Sequence, residues 1–246
     1  MKRTRMRVFR IIIGVILIIV MGFSSFQIYQ IWNETRKEKA IHSKVMEFKP
    51  SEPPVEPETV IVNQSILDLQ AKYPDVVGWL TIDGTNIDYP FAQAADNNTY
   101  LRTNLDGKYA TAGSVFMDYR CKKDFSGVNN IIYGHHMKDG SMFSTVQRFN
   151  DKTFFEANSS GTIYLPNDIL PLKVIAFTVI KPEDKHIYSL PKKTDAEQLE
   201  YFDYIRKTAR YFRETELKPN DRIVTLSTCN YEFNNARMSL ICLIEK

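Results

Sequence analysis

Three cysteines in 246 residues, Cys121, Cys229 and Cys242, are too few and odd in number for a disulfide scaffold. None sits at a CxxC or Cys/His spacing, so a structural metal site is not expected either. There is no phosphate-cradling glycine loop and no GxGxxG, which removes the common nucleotide-binding folds and leaves no cofactor to expect. No internal repeat recurs, so solenoids and propellers are excluded. Acidic residues are missing from the first 32 positions, which carry Lys2, Arg3, Arg5, Arg7 and Arg10. The net charge of +3 belongs to that stretch, because the other 27 basic residues face 29 acidic ones. A slightly acidic body argues against nucleic acid as a partner.

Charge is also absent from Ile11 to Trp32, 22 residues that open IIIGVILIIVMGF. As a helix this run is about 33 Å long, enough to cross a hydrocarbon core. A cleaved signal peptide has similar n- and h-regions, but no A-x-A-like site follows, and apolar residues continue through Phe26, Ile28, Ile31 and Trp32. The positive-inside bias keeps residues 1–10 cytoplasmic, makes 11–32 a membrane anchor and sends the rest outside. Residues 33–62 read as a polar linker: NETRKEKAIHSKVMEFK, which holds the solvated His42, suits a helical extension of the anchor, and Pro50, Pro53, Pro54 and Pro57 among glutamates then make an extended, semi-rigid tether. Residues 63–246 then form one domain.

Within that domain QSILDLQAKYP predicts a short helix stopped by Pro74, and two β-rich runs flank Asp83-Gly84 as a hairpin. GSVFMDYR and NNIIYGHHM predict strands. Met142, Phe143, Val146 and Phe149 recur at helical spacing, and KTFFEAN continues as a second short helix. TIYL and PLKVIAFTVI flank a turn at Pro166-Asn167-Asp168. Thr194 to Glu197 has the form of a capping box, opening a helix with Leu199, Phe202, Ile205, Ala209 and Phe212 on its apolar face. RIVTLSTC and RMSLICLIEK are strands joined by Asn230–Ala236. Strands dominate without regular βαβ alternation, so the expected fold is mainly β with helical insertions, a small closed or nearly closed antiparallel barrel.

Few residues in this frame can do covalent chemistry. Cys229 ends a strand among Ser227, Thr228 and Asn230, whereas Cys242 sits in the apolar run Leu240–Ile244 and reads as core. Cys121 reads as an incidental loop thiol. If the last two strands form a hairpin, Arg237 returns beside Cys229, where a guanidinium lowers a thiol pKa and offers donors to an oxyanion. A thiol nucleophile needs an imidazole. His135 and His136 end a strand and point to opposite faces, so one of them serves. His135 shares its face with Tyr133 and is preferred over His136; a bulge at Gly134 would exchange them. His186 lies in a loop.

T-L-S-T-C-N at 225–230, with Arg237 beyond, resembles the TLxTC…R signature of sortases, the membrane-anchored cysteine transpeptidases of Gram-positive bacteria. I-Y-G-H-H-M-K-D-G-S-M-F at 132–143, G-S-V-F-M-D-Y-R at 113–120 and a long helix from Thr194 to about Glu214 are similar to class B members. The resemblance implies a sortase-type closed β-barrel and a catalytic set of Cys229, His135 and Arg237. It implies cleavage after Thr of an NPxTN-like or PxTG-like sorting motif on secreted proteins, through a thioacyl-enzyme. The acyl group would pass to an amine of a peptidoglycan cross-bridge or lipid-linked precursor. Ser227, Tyr133, Asn104 and Asn230 are the implied substrate contacts, Asn230 through its backbone N–H. A membrane-tethered binding module without catalysis and a pilin-polymerising enzyme are the alternatives.

Overall fold

The computed structural model describes residues 2–51, 62–181, 184–190, 194–229 and 237–245. The chain divides into two compact units, Met1–Met46 and Glu47–Lys246. The first is a single helix, α1 (Lys2–Met46), of which Phe9–Asn33 has a mean hydropathy of 2.5 and is long and apolar enough to cross a membrane. Val15, Ile16, Leu17 and Ile18 are all exposed and follow one another about 100° apart, so the helix is apolar around its circumference, as a lipid-facing helix is. It continues as helix through the polar residues up to Met46, so the first part of the expected linker is helical. Pro53, Pro54 and Pro57 lie outside the described residues.

The second unit begins with α2 (Gln64–Lys72), which buries Ile66 and Leu69 and ends just before Pro74, as expected. The strands are β1 (Val76–Ile82), β2 (Asp88–Ala92), β3 (Phe116–Met117), β4 (Asn129–Tyr133), β5 (Ser160–Leu165), β6 (Asp168–Ile180), β7 (Tyr211–Phe212), β8 (Ile223–Cys229) and β9 (Arg237–Ile244). They hydrogen-bond in the order β5-β1-β2-β3-β4-β8-β9-β6-β7, and a β5–β6 pairing closes the first eight into a barrel. The hairpins expected at Asp83-Gly84, at Pro166-Asn167 and between β8 and β9 are all present. The barrel is not wholly antiparallel, however, because β2–β3 and β4–β8 are parallel pairs. Parallel neighbours need long crossovers, and the β4–β8 crossover carries β5, β6, β7, α3 (Lys152–Ala157) and α4 (Asp195–Thr208).

Two local expectations change for physical reasons. Phe143–Asn150 is a 3₁₀ helix; its buried Phe143, Val146 and Phe149 recur every third residue, the repeat of that helix. The helix opened by Thr194 stops at Thr208 instead of near Glu214. The open edge of β6 takes over the chain there: Arg210 N–H donates to the Phe177 carbonyl (2.8 Å) and Arg213 N–H to that of Ile175 (2.7 Å). That edge pairing makes β7, and Leu199, expected on the buried face, is 42 % exposed. At its start the Thr194 hydroxyl donates to the Glu197 carboxylate (2.7 Å), in place of the backbone bonds of a capping box.

Alternation along the central strands separates two cores. Ile132, Val224, Leu226, Met238, Leu240 and Cys242 fill the barrel with Phe91, Phe143 and Phe177. Ile223 and Ile241 face outward against Ile187, Tyr201, Phe202 and Ile205. A bulge between Val174 and Ala176 lets Ile175 and Ala176 both face outward. With both faces covered, β9 reads as the near-continuous apolar run MSLICLI.

Candidate active site

The outward face of β4, β8 and β9 changes character along its length. In β8 it runs Ile223, Thr225, Ser227 and then position 229, from apolar to polar toward one end. The β4–β8 register pairs Asn129 with Ile223 and Tyr133 with Ser227. Gly134 N–H donates to the Ser227 carbonyl (3.2 Å), keeping the chain in line beyond β4. His135 follows Gly134 at that end of the sheet and lines one cleft with Arg237, and Arg237 is the cross-strand partner of Cys229. Three adjacent strands thus bring positions 135, 229 and 237 to one end of one face.

A cleft of about 380 Å³ opens there, lined by Asn97, Leu101, Phe116, Tyr133, Gly134, His135, Tyr188, Ser227, Thr228 and Arg237. His135 is half-buried, and its Nε2 lies 2.8 Å from the Leu101 carbonyl. A carbonyl only accepts, so Nε2 carries the hydrogen and Nδ1 is the nitrogen left for proton exchange. Tyr188 Oη and Ser227 Oγ share a hydrogen bond of 2.9 Å. His136 faces elsewhere, into a separate cleft of about 610 Å³ with Lys138, Ser144 and Arg148, and burial lowers its pKa. No bulge exchanges the two histidines. A Cβ on Gly134 would stand 2.6 Å from the buried Phe143 ring, so only glycine permits that packing. The strand expected to run through His135 and His136 ends at Tyr133, because the His135 carbonyl is taken by Phe143 N–H (2.9 Å) and His136 bridges to Met142.

Behind the cleft lies a fully buried carboxylate, Asp118. It accepts from Arg120 N, Nε and Nη2 (2.9, 2.8 and 2.7 Å), from Asn97 Nδ2 (3.0 Å) and from the Tyr133 hydroxyl (3.0 Å). Burial pushes its pKa up, but the Arg120 hydrogen bonds and charge together with Asn97 outweigh that and hold it below the ordinary carboxyl value. Tyr133 is pushed well above the usual phenol range by burial and by Asp118, so its hydroxyl stays protonated and donates.

Of the residues singled out in sequence, His135, Tyr133, Ser227 and Arg237 line this cleft. Asn230 lies outside the described residues. Asn104 does not line the cleft; its side-chain oxygen accepts from Lys108 N–H (3.0 Å) and closes its own turn. Sequence reasoning missed Asn97, Leu101, Phe116 and Tyr188, whose approach depends on long-range packing. Cys242 is the core thiol it was expected to be, fully buried with its pKa pushed far up by that burial. Cys121 sits in a loop but is buried too; desolvation raises it to about 11, and its sulfur accepts from Ile131 N–H (3.4 Å).

No protein-family model matches the chain. Among curated proteins it is 39 % identical over 174 residues to sortase B of Listeria monocytogenes, covering 70 % of this chain and 69 % of that one. The chain belongs to the class B sortase family. Sortase B of Staphylococcus aureus is 25 % identical over 239 residues, 96 % of each chain. A crystal structure of sortase B from Bacillus anthracis in complex with AAEK1 matches with a TM-score of 0.76 and 29 % identity, over 87 % of this chain and all of that one. The protein is therefore a sortase-type cysteine transpeptidase on a sortase-type closed β-barrel, with an N-terminal apolar helix suited to membrane anchoring.

Proposed function

We propose that this enzyme cleaves a sorting motif of the NPxTN or PxTG kind after its Thr and transfers the protein to an amine of peptidoglycan. One observation above all supports the reading: β4, β8 and β9 are neighbours, Cys229 pairs with Arg237 across β8 and β9, and His135 and Arg237 line one cleft. The Cys229 thiolate attacks the Thr carbonyl. Arg237 and the Asn230 backbone N–H stabilise the tetrahedral oxyanion. Its collapse breaks the peptide C–N bond, and protonated His135 gives its proton to the departing amide nitrogen, leaving a thioester. An amine of a cross-bridge or lipid-linked precursor then attacks the thioester. His135 takes the amine proton, the new amide forms and the thiolate departs. The Leu101 carbonyl holds the imidazole by Nε2, so both transfers pass through Nδ1. The sulfur keeps the acyl energy between the two steps, and no nucleotide is consumed.

Ser227, Tyr133, Asn97 and Leu101 contact the motif. The partners are secreted proteins bearing sorting signals and the cell-wall amine. The five basic residues before the apolar helix keep the N-terminus cytoplasmic, which sets the catalytic unit outside the membrane. Quenched peptides bearing NPxTN, PPxTG or LPxTG, incubated with the detergent-solubilised full chain with and without an amine acceptor, test the reading. Cleavage of one motif after Thr, with an amide product when the amine is present, is expected. Absence of cleavage for all three, or hydrolysis alone whatever amine is offered, would overturn it.

A further inference from the structure

We propose that Asp118 is a positioning residue for substrate binding: one buried carboxylate fixes, from behind, the cleft wall contributed by three separate segments of the chain. The inference rests on the functional reading above, in which a peptide occupies that cleft. Asp118 is 0 % exposed and touches no substrate. Its five donors lead outward to the wall. Asn97 gives its Nδ2 hydrogen to Asp118 while its Oδ1 accepts from Tyr119 N–H (3.0 Å), so both ends of that amide are engaged. Tyr133 spends its hydroxyl on Asp118. Arg120, clamped by the carboxylate, reaches on with Nη2 to the Tyr188 carbonyl (3.3 Å), and the Tyr188 hydroxyl meets Ser227.

With those polar groups turned inward, the wall presents ring surface to the cleft. The Phe116, Tyr133 and Tyr188 rings stand in a row with centroids 5.3 and 6.1 Å apart. Such a wall grips the apolar part of an extended peptide and moves no protons, so its loss acts on binding before chemistry. The carboxylate charge matters as well as its shape. Asp118 Oδ1 accepts two donors and Oδ2 three, so an amide in its place sets an NH2 group against N–H or O–H donors whichever way it is turned.

Asp118→Asn in the full-length chain is the test, with peptide kinetics, thermal melting and the rate at which the Cys229 thiolate displaces sulfinate from a small thiosulfonate to form a mixed disulfide. A rise in KM of about tenfold is expected, with kcat changed by less than about twofold and thiol labelling at the parent rate, since a small reagent needs no wall. A fall in kcat at unchanged KM, or slower labelling in step with slower cleavage, would overturn the assignment. Should Asp118→Asn fail to fold, Tyr133→Phe decides. It keeps the ring and deletes one bond to Asp118, so KM should rise about threefold and an unchanged KM would sink the proposal. Failure of the parent chain to cleave any peptide overturns the functional reading and this inference together. Cleavage with an unaltered KM in the variant overturns this inference alone.

Discussion

The two faces of the β4–β8–β9 sheet have the same backbone and the same register but opposite chemistry. Inward, Ile132, Leu226 and Leu240 stand side by side in the barrel, all fully buried. Outward, one residue along, Tyr133, Ser227 and Ser239 form the matching row; beyond it Cys229 pairs with Arg237, and His135 lines the same cleft as Arg237. The inner face carries the stability of this region, and the polar end of the outer face carries groups whose removal costs little packing. At this end of the sheet, mutations should therefore separate folding from catalysis according to face, not according to residue type; further along, Ile223 and Ile241 make the outer face a core as well.

The cysteines give the largest contrast. Cys229→Ala should abolish cleavage and thioester formation with a nearly unchanged melting temperature. Cys242→Ala, on the inner face, should cost about 1–2 kcal/mol of stability with activity retained. Peptide turnover and thermal denaturation of the two variants check this, and the reverse pattern would break the comparison. The adjacent histidines come next. His135→Ala should slow cleavage by at least about 10²–10⁴-fold, the usual worth of general acid–base help, while His136→Ala should change it by less than about tenfold. An inactive His136→Ala enzyme beside an active His135→Ala one would reverse the assignment.

Gly134 joins the two faces, because its inward side is filled by Phe143 and its backbone leads to His135. Gly134→Ala should cost about 1–3 kcal/mol through overpacking and lower kcat as His135 shifts, as denaturant titration beside peptide kinetics would reveal. The smallest effect is one of pH. The Asp118 pKa is lowered on folding, so its ionised form adds stability that is present above the ordinary carboxyl value of 3.8 and is lost as pH falls through the lower folded value. Asp118→Asn should flatten that part of the acid limb in a series of melts below pH 5, and an unchanged limb would count against the ionised hub.

What could be read in sequence was local. The apolar helix follows from an uncharged run, and the three hairpins from turn residues between alternating segments. The placing of Arg237 beside Cys229 needed only the assumption that β8 and β9 pair. His135 came from its strand parity with Tyr133 and from its motif. What escaped depends on partners far away in the chain. Phe212 continues the helical spacing of α4, yet the open edge of β6 takes it, with Tyr211, as a strand. Asn104 looked suited to a substrate contact but satisfies its own turn, while Asn97 is carried to the cleft by Asp118. Asp118 itself sat in an ordinary strand-like motif, and nothing near it in sequence announced that Tyr133 would meet it.

The parallel pairing of β4 with β8 has a consequence in time. Tyr133 and Ser227, partners in that register, are 94 positions apart in the chain. The β1–β2 and β5–β6 hairpins close over a few residues and can form as soon as their strands exist, but the β4–β8 contact must first close a loop holding β5, β6 and β7. His135 lines a cleft with Ser227 and Arg237 only once that closure is complete. Peptide cleavage regained during refolding should accordingly trail the recovery of β-sheet circular dichroism. Until that pairing forms, the thiol proposed as nucleophile belongs to a chain that has no means of using it.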